Sequence, residues 1–185
     1  MGKFKILTLI LLCSNSLFGQ MKMSPGANDI FACLIKDKRQ VFLLASINPY
    51  CYKKIREGLS SNQFIRRITR NDTLYIDTLR ISKDERAYID NVLDSLQFYA
   101  WTNANMKLAG LSYFSLVDTT QKRKNPEFNY IVYQIMPPLL IRRNTICFTY
   151  YDYSCGALCG QGELSILIKK EGKWQRWWTI YGFVS

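Results

Sequence analysis

The chain contains no histidine. Without an imidazole it cannot build a Ser-His-Asp or Cys-His catalytic centre, a histidine-ligated zinc site or a histidine pH switch. It also lacks any apolar run that approaches the roughly 20 residues a transmembrane helix needs. The sequence therefore excludes histidine-dependent enzymes and predicts no membrane-spanning helix.

Apolar residues are nevertheless abundant enough to build a core. The 185 residues are 48% hydrophobic and 14% aromatic, and no repeat, heptad pattern or Pro/Gly/Ser linker divides them. Such a chain is too apolar to be disordered and has the length of one ordinary domain. We expect a single domain around one core.

The N-terminal 19 residues have the pattern of a secretory signal peptide. Two lysines are followed by an apolar run at 6–12 and by small and polar residues up to Gly19. Leu12 precedes Cys13 where a lipoprotein signal requires a small residue, so the pattern favours a periplasmic or secreted protein over an outer-membrane lipoprotein. Residues 20–185 would then form the mature domain, without a transmembrane span.

The chain is strongly basic, with 25 Lys and Arg against 14 Asp and Glu and a net charge of +11. Loss of Lys3 and Lys5 with the signal peptide lowers this excess by two, to +9. Outside the cytosol, such a charge favours an anionic glycan or glycolipid, or an acidic envelope protein, over nucleic acid. The alternative is a basic surface that only keeps the protein soluble.

Two helices are predicted from their end signals. Asn48 and Pro49 mark a helix start, and Gly58 marks its end. Ser82 and Glu85 form a capping box, in which each side chain satisfies an unpaired backbone amide of the first turn. An apolar stripe follows at helical spacing, formed by Ile89, Val92, Leu93 and Leu96. The two apolar blocks within residues 29–47 fit either a hairpin or a helix.

The C-terminal half predicts antiparallel strands at 129–136, 144–151, 162–170 and 173–181, with a tight turn at Glu171-Gly172. Alternation places two apolar sets on a shared half-buried face: Ile146, Phe148 and Tyr150, and Leu164, Ile166 and Ile168. The predicted fold class is therefore α+β, with a C-terminal antiparallel meander packed against one or two helices.

Three tryptophans of the last strand and two neighbouring arginines are candidate surface-binding residues: Trp174, Trp177, Trp178, Arg142 and Arg143. By alternation, Trp174 and Trp178 share one face of the strand and Trp177 takes the other. One face must be core, whereas the other forms either an exposed aromatic platform for sugar or a second packed surface.

Five cysteines remain after the predicted cleavage, and thiols of exported proteins tend to pair. Cys155 and Cys159 are close enough to bridge within a glycine-rich loop, and Cys33 with Cys51 is the second candidate disulfide. Cys147 is then the expected free, packed thiol.

Two enzymatic hypotheses for this region remain as alternatives. Cys155 and Cys159 could serve a thiol oxidoreductase, although such centres prefer two intervening residues and a helix N-terminus. Asp152 and Glu163 bracket the loop and could face each other as the carboxylate pair of a carbohydrate-active hydrolase. A four-cysteine zinc site lacks a second close pair, so neither a metal nor a cofactor is expected.

The segment Pro138–Ser185 resembles a group of uncharacterised exported proteins from Bacteroidota. The resemblance lies in three segments. These are Arg142-Arg143-Asn144, the loop Cys155-Gly156-Ala157-Leu158-Cys159-Gly160-Gln161-Gly162, and the hairpin turn Lys169-Lys170-Glu171-Gly172-Lys173-Trp174. It implies an envelope or secreted location and supplies no catalytic residue.

A second resemblance is to the Asp-Ser/Thr acceptor motifs for O-glycosylation in that phylum. The matching hydroxyls, each directly after an aspartate, are Thr73, Thr78, Ser95 and Thr119. Ordinary turn and capping chemistry accounts for the same dipeptides.

The sequence thus favours a non-enzymatic exported domain that binds another envelope component. An inhibitor or immunity-type protein against a secreted toxin is one version of this hypothesis. The rival is a small envelope enzyme, using either the cysteine loop or the two carboxylates.

Overall fold

The computed structural model describes residues 27–35, 41–117, 131–156 and 159–184, so the predicted signal peptide lies outside the described residues. The described residues form four helices and nine strands. In chain order these are α1 (Ala27–Leu34), β1 (Val41–Leu44), α2 (Pro49–Gly58), β2 (Gln63–Arg70), β3 (Thr73–Arg80), α3 (Lys83–Leu96), α4 (Asn103–Leu108), β4 (Phe114–Val117), β5 (Val132–Ile135), β6 (Leu139–Ile141), β7 (Ile146–Gly156), β8 (Cys159–Lys170) and β9 (Lys173–Val184).

Seven strands form one mixed sheet. Six of them follow the order β4-β1-β5-β7-β8-β9, and the seventh, β6, pairs with the first residues of β7, whereas β5 pairs with later residues of β7. The C-terminal strands β7, β8 and β9 are an antiparallel meander, as predicted, and the α+β fold class is confirmed. Strand β1 runs parallel to both of its neighbours, β4 and β5, which the sequence did not reveal.

Apolar clusters cover both faces of the sheet, rather than the one core that we expected. The predicted pairs are confirmed, since Ile146, Phe148 and Tyr150 lie opposite Ile168, Ile166 and Leu164. With α2, α3 and the β2–β3 hairpin, this face forms the first core. The opposite face packs against α1 and α4 and forms the second core. The sheet is therefore enclosed between two helical layers.

The two helices with clear end signals form where they were expected. Asn48 caps α2, with its side chain accepting from the amide of Cys51, and Pro49 occupies the first turn. Ser82 and Glu85 make both hydrogen bonds of the capping box at the start of α3. None of the described helices is long and apolar enough to cross a membrane.

The β2–β3 hairpin, which was not among the predicted elements, forms a separate two-stranded sheet. Its turn residues Asn71 and Asp72 have φ values of 46° and 57°, the left-handed conformation that two-residue hairpin turns require. Phe64 and Leu79, paired at the base of the hairpin, are buried in the first core. The rest of the hairpin extends beyond the core.

Candidate anion-binding cleft

A cleft of about 480 Å³ lies between the β2–β3 hairpin and the end of the β8–β9 hairpin. Arg66, Ile68, Arg70, Tyr75 and Asp77 line it from the first hairpin. The wall from the sheet is formed by Ile168, Lys170, Gln175 and Arg176. The lining residues thus comprise four cationic residues, one acidic residue, three apolar or aromatic residues and Gln175.

Most of the cationic residues in the cleft lack an ion-pair partner within the described part of the chain. Arg176 pairs with Glu163, with 2.9 Å between its Nε and a carboxylate oxygen. Among the described residues, no ion pair involves Arg66, Arg70 or Lys170. Three free cations that converge on one concave surface focus a positive potential there and attract anions. Arginine also offers planar paired donors that match phosphate, sulfate and carboxylate.

The carboxylate in the cleft has a structural partner of its own. Asp77 lies opposite Arg66 in the hairpin ladder, but its Oδ2 accepts a hydrogen bond from the indole nitrogen of Trp177 at 2.7 Å. Phe64 also contacts Trp178, with ring centroids 6.1 Å apart. These two contacts hold the first hairpin against β9 and so fix the width of the cleft.

The alternation prediction for the tryptophans is wrong in detail. The register of β8 and β9 jumps between Ile166–Trp178 and Leu167–Arg176, which leaves Trp177 as an unpaired bulge residue. The bulge turns Trp177 towards the same core as Trp178, whereas Trp174 packs against the other core. All three are buried or half-buried, so they act in packing and not as an exposed platform.

The predicted arginine pair lies away from the cleft. The guanidinium of Arg142 donates to both carboxylate oxygens of Glu85, at 2.8 and 3.2 Å, and to the backbone carbonyl of Arg80. It therefore joins the turn before β7 to the start of α3. Arg143 is exposed in the same turn, at a φ of 53°.

A buried polar cluster surrounds Asp152 on the first-core face of β7. Its Oδ2 accepts from the hydroxyl of Tyr150 at 2.6 Å and from the thiol of Cys51 at 3.2 Å. Its Oδ1 accepts from the side-chain amide of Gln134 at 3.1 Å, and that amide's oxygen accepts from the backbone of Asn48 at 2.9 Å. The carboxylate thereby links β5, β7 and the first turn of α2.

The thiol in this cluster is not poised for nucleophilic attack. Burial, reinforced by the negative charge of Asp152, raises the pKa of Cys51 to about 11. The same two causes raise the pKa of Tyr150. Both groups therefore carry their protons at neutral pH, and a protonated thiol is a poor nucleophile. The cluster is a structural network of hydrogen bonds.

The expected carboxylate pair does not form. Across β7 and β8, Asp152 lies opposite Gly162, while Glu163 lies opposite Tyr151. Successive strand residues point to opposite faces, so the two carboxylates are on opposite sides of the sheet. Two acids that work on one glycosidic bond must face the same ligand, and this arrangement excludes that role for the pair.

One of the two candidate disulfides is present. Cys155 and Cys159 are bridged, with their Cα atoms 5.1 Å apart, and both lie in strands, β7 and β8. The Cys33–Cys51 prediction is wrong, because both thiols are free and lie on opposite sides of the sheet. Cys33 instead donates to the backbone carbonyl of Trp174 at 3.4 Å. Cys147 is free and fully buried, as expected.

Three of the four candidate glycosylation hydroxyls lie on exposed residues of the structure. Thr73 and Thr78 belong to β3. Ser95 belongs to α3, and its hydroxyl donates to the carbonyl of Asn91 at 3.1 Å. Thr119 lies outside the described residues.

One part of the cleft does have a signal in the sequence. Arg66, Ile68 and Arg70 alternate through a segment that ends at an Asn71-Asp72 turn, and this spacing places all three on one face of a strand. No local pattern, however, places Lys170 beside them.

Comparison of the chain with protein-family models, with curated proteins and with solved structures returned no match. Within the described residues, no group of three or more Cys, Asp or Glu side chains is arranged to hold a metal ion. The cationic cleft is the candidate functional site because it brings Arg66, Arg70 and Lys170 onto one concave surface.

Proposed function

We propose that this protein is a non-enzymatic binding domain of the cell envelope whose cleft takes an anionic group of a glycan, a glycolipid or an acidic protein. The observation that carries the proposal is the convergence of Arg66, Arg70 and Lys170, without ion-pair partners among the described residues, on one concave surface. An unpaired cation gains more from a bound anion than one already neutralised.

The apolar part of the lining suits the carbon skeleton of such a ligand. Tyr75 offers an aromatic face, and Ile68 and Ile168 add apolar surface beside the cations. A ring with a phosphate, sulfate or carboxylate group would contact the aromatic face while its charge meets an arginine.

An exported, oxidising location is part of the same proposal. It is supported by the signal-peptide pattern of residues 1–19 and by the Cys155–Cys159 disulfide. The location matters because glycans and glycolipids with anionic groups are components of envelope surfaces.

Titration with dextran sulfate in an isothermal calorimeter tests the proposal. We expect wild-type protein to bind, and Arg66→Glu/Arg70→Glu to lose affinity by roughly tenfold or more for each arginine. Lys107→Glu/Arg143→Glu is the matched control, because it makes the same change in net charge at exposed residues outside the cleft. Equal weakening by both double variants would show that total charge, and not the cleft, governs binding.

A further inference from the structure

The β2–β3 hairpin has a second face that points away from the cleft. Strand residues alternate between faces, so Arg66, Ile68 and Arg70 on the cleft side leave the residues between them on the other side. That other side, here named the outer face, comprises the cross-strand pairs Ile65–Thr78, Arg67–Ile76 and Thr69–Leu74.

The outer face exposes its aliphatic side chains to solvent. Ile76 is 63% exposed, Leu74 56% and Ile65 41%, and the three lie on a two-stranded sheet separate from the main sheet. Isolated exposed aliphatic residues are ordinary on protein surfaces, but several grouped on one extended element indicate an interaction surface.

The charge of the outer face indicates what kind of partner it fits. None of its six residues is acidic, and Arg67 lies directly opposite Ile76. Among the described residues, no ion pair involves Arg67. The outer face therefore combines three exposed aliphatic side chains with one guanidinium group, that of Arg67.

We propose that the outer face of this hairpin docks on the surface of a lipid bilayer that contains anionic lipids. Peripheral elements of this composition place aliphatic side chains at the boundary of the acyl chains, while their cations meet lipid phosphates. A second copy of the chain is a poorer occupant, because a symmetric contact would bring two Arg67 side chains into one interface. The proposal uses residues outside the cleft and is independent of the proposed ligand there.

Co-sedimentation with vesicles tests the proposal. Vesicles of equal parts phosphatidylglycerol and phosphatidylcholine are compared with vesicles of phosphatidylcholine alone, at about 0.15 M salt, where long-range attraction is screened beyond roughly 8 Å. We expect binding to the anionic vesicles only. Leu74→Thr/Ile76→Thr should weaken it at least about tenfold, because less apolar surface is buried. Arg67→Ser should weaken it about fivefold.

Threonine preserves strand propensity, and both replaced side chains are exposed, so the double variant should keep its fold, which circular dichroism verifies. Phe98→Thr is the matched control, since Phe98 is 78% exposed outside the hairpin. It should bind vesicles like the wild type.

Unchanged vesicle binding by Leu74→Thr/Ile76→Thr would overturn the proposal. A second result would also overturn it: the wild-type protein does not bind vesicles but sediments as a dimer, and Leu74→Thr/Ile76→Thr sediments as a monomer. Ligand binding in the cleft is measured separately by titration with dextran sulfate, which Leu74→Thr/Ile76→Thr should still bind. Failure of the membrane proposal and failure of the cleft proposal are therefore distinguishable.

Discussion

Asp152 joins three segments that are distant in sequence. Its two oxygens accept hydrogen bonds from Cys51, Gln134 and Tyr150, and only 6% of the residue is exposed. A buried carboxylate is costly to desolvate, so it is tolerated only where several donors surround it. If the carboxylate is removed, the same buried donors lose their acceptor and destabilise the folded state.

Replacement of Asp152 by alanine should destabilise the protein by roughly 3 to 5 kcal/mol. The change leaves the hydroxyl of Tyr150 and the amide of Gln134 buried without an acceptor, and each unsatisfied donor costs about 1 to 3 kcal/mol. Urea denaturation followed by tryptophan fluorescence measures the loss. Asp94→Ala is the control, since Asp94 is an exposed acid on α3 and should have a much smaller effect. Equal losses in the two variants would contradict this account of the cluster.

The helices α2 and α3 depend on short-range signals at their first turns. In α3, Ser82 accepts from the amide of Glu85 at 3.2 Å, and the Glu85 side chain accepts from the Ser82 amide at 2.9 Å. Arg142 lowers the pKa of Glu85, since its guanidinium favours the charged carboxylate. One glutamate thus caps the helix and anchors the turn before β7.

Ser82→Ala should lower the free energy of unfolding by about 1 kcal/mol, the usual value of an N-cap side chain. Ser95→Ala in the same helix is the control, because its hydroxyl bonds only within the helix and alanine is the better helix former. Chemical denaturation of the two variants beside the wild type measures the difference. If the control lost as much stability, the capping box would not be the cause.

The β2–β3 hairpin illustrates an element that needs the rest of the protein. A two-stranded sheet is marginally stable by itself. This hairpin is held at its base by Phe64 and Leu79 in the first core, and along its length by the bond between Asp77 and Trp177. The cleft therefore exists only once β9 is in place.

At the scale of the whole molecule, the enclosed sheet keeps several titratable groups away from water. Burial raises the pKa of Cys147 in the second core, as it does for Cys51 and Tyr150 in the first. These groups lie on both faces of the sheet, so both cores contain groups that keep their protons to a higher pH in the folded protein than in the unfolded chain.

Stability should fall as the pH rises through the window from about 9 to 11. The pKa of Cys51 rises from its ordinary value of 9.0 to about 11 in the folded protein. In this window the unfolded chain loses the proton that the folded chain retains, so the unfolded state is favoured. The shift corresponds to roughly 2 to 3 kcal/mol once the pH reaches the folded value.

Urea midpoints measured from pH 7.5 to 11 test this expectation, with Cys51→Ser as the comparison. Serine keeps a donor for Asp152 but does not titrate in this range, so its stability should decline less steeply. Parallel pH profiles for the two proteins would show that Cys51 contributes nothing to the alkaline loss.

Local signals in the sequence determined much of the framework. The capping box of α3, the first turn of α2 and the alternation along β7 and β8 all formed as predicted, since each depends on residues within one or two turns or on neighbouring strands. The α+β class follows from the same signals. The Cys155–Cys159 bridge could also be predicted from the sequence, because the two cysteines are only four positions apart.

Only the tertiary structure decided where the distant residues meet. The bulge at Trp177 changed the faces of the last strand, and the sheet separated Cys33 from Cys51. Arg66 and Lys170 line one cleft although about 100 residues lie between them in the chain. Their proximity depends on how the hairpin packs on the sheet, and packing between distant elements leaves no periodic trace in the sequence.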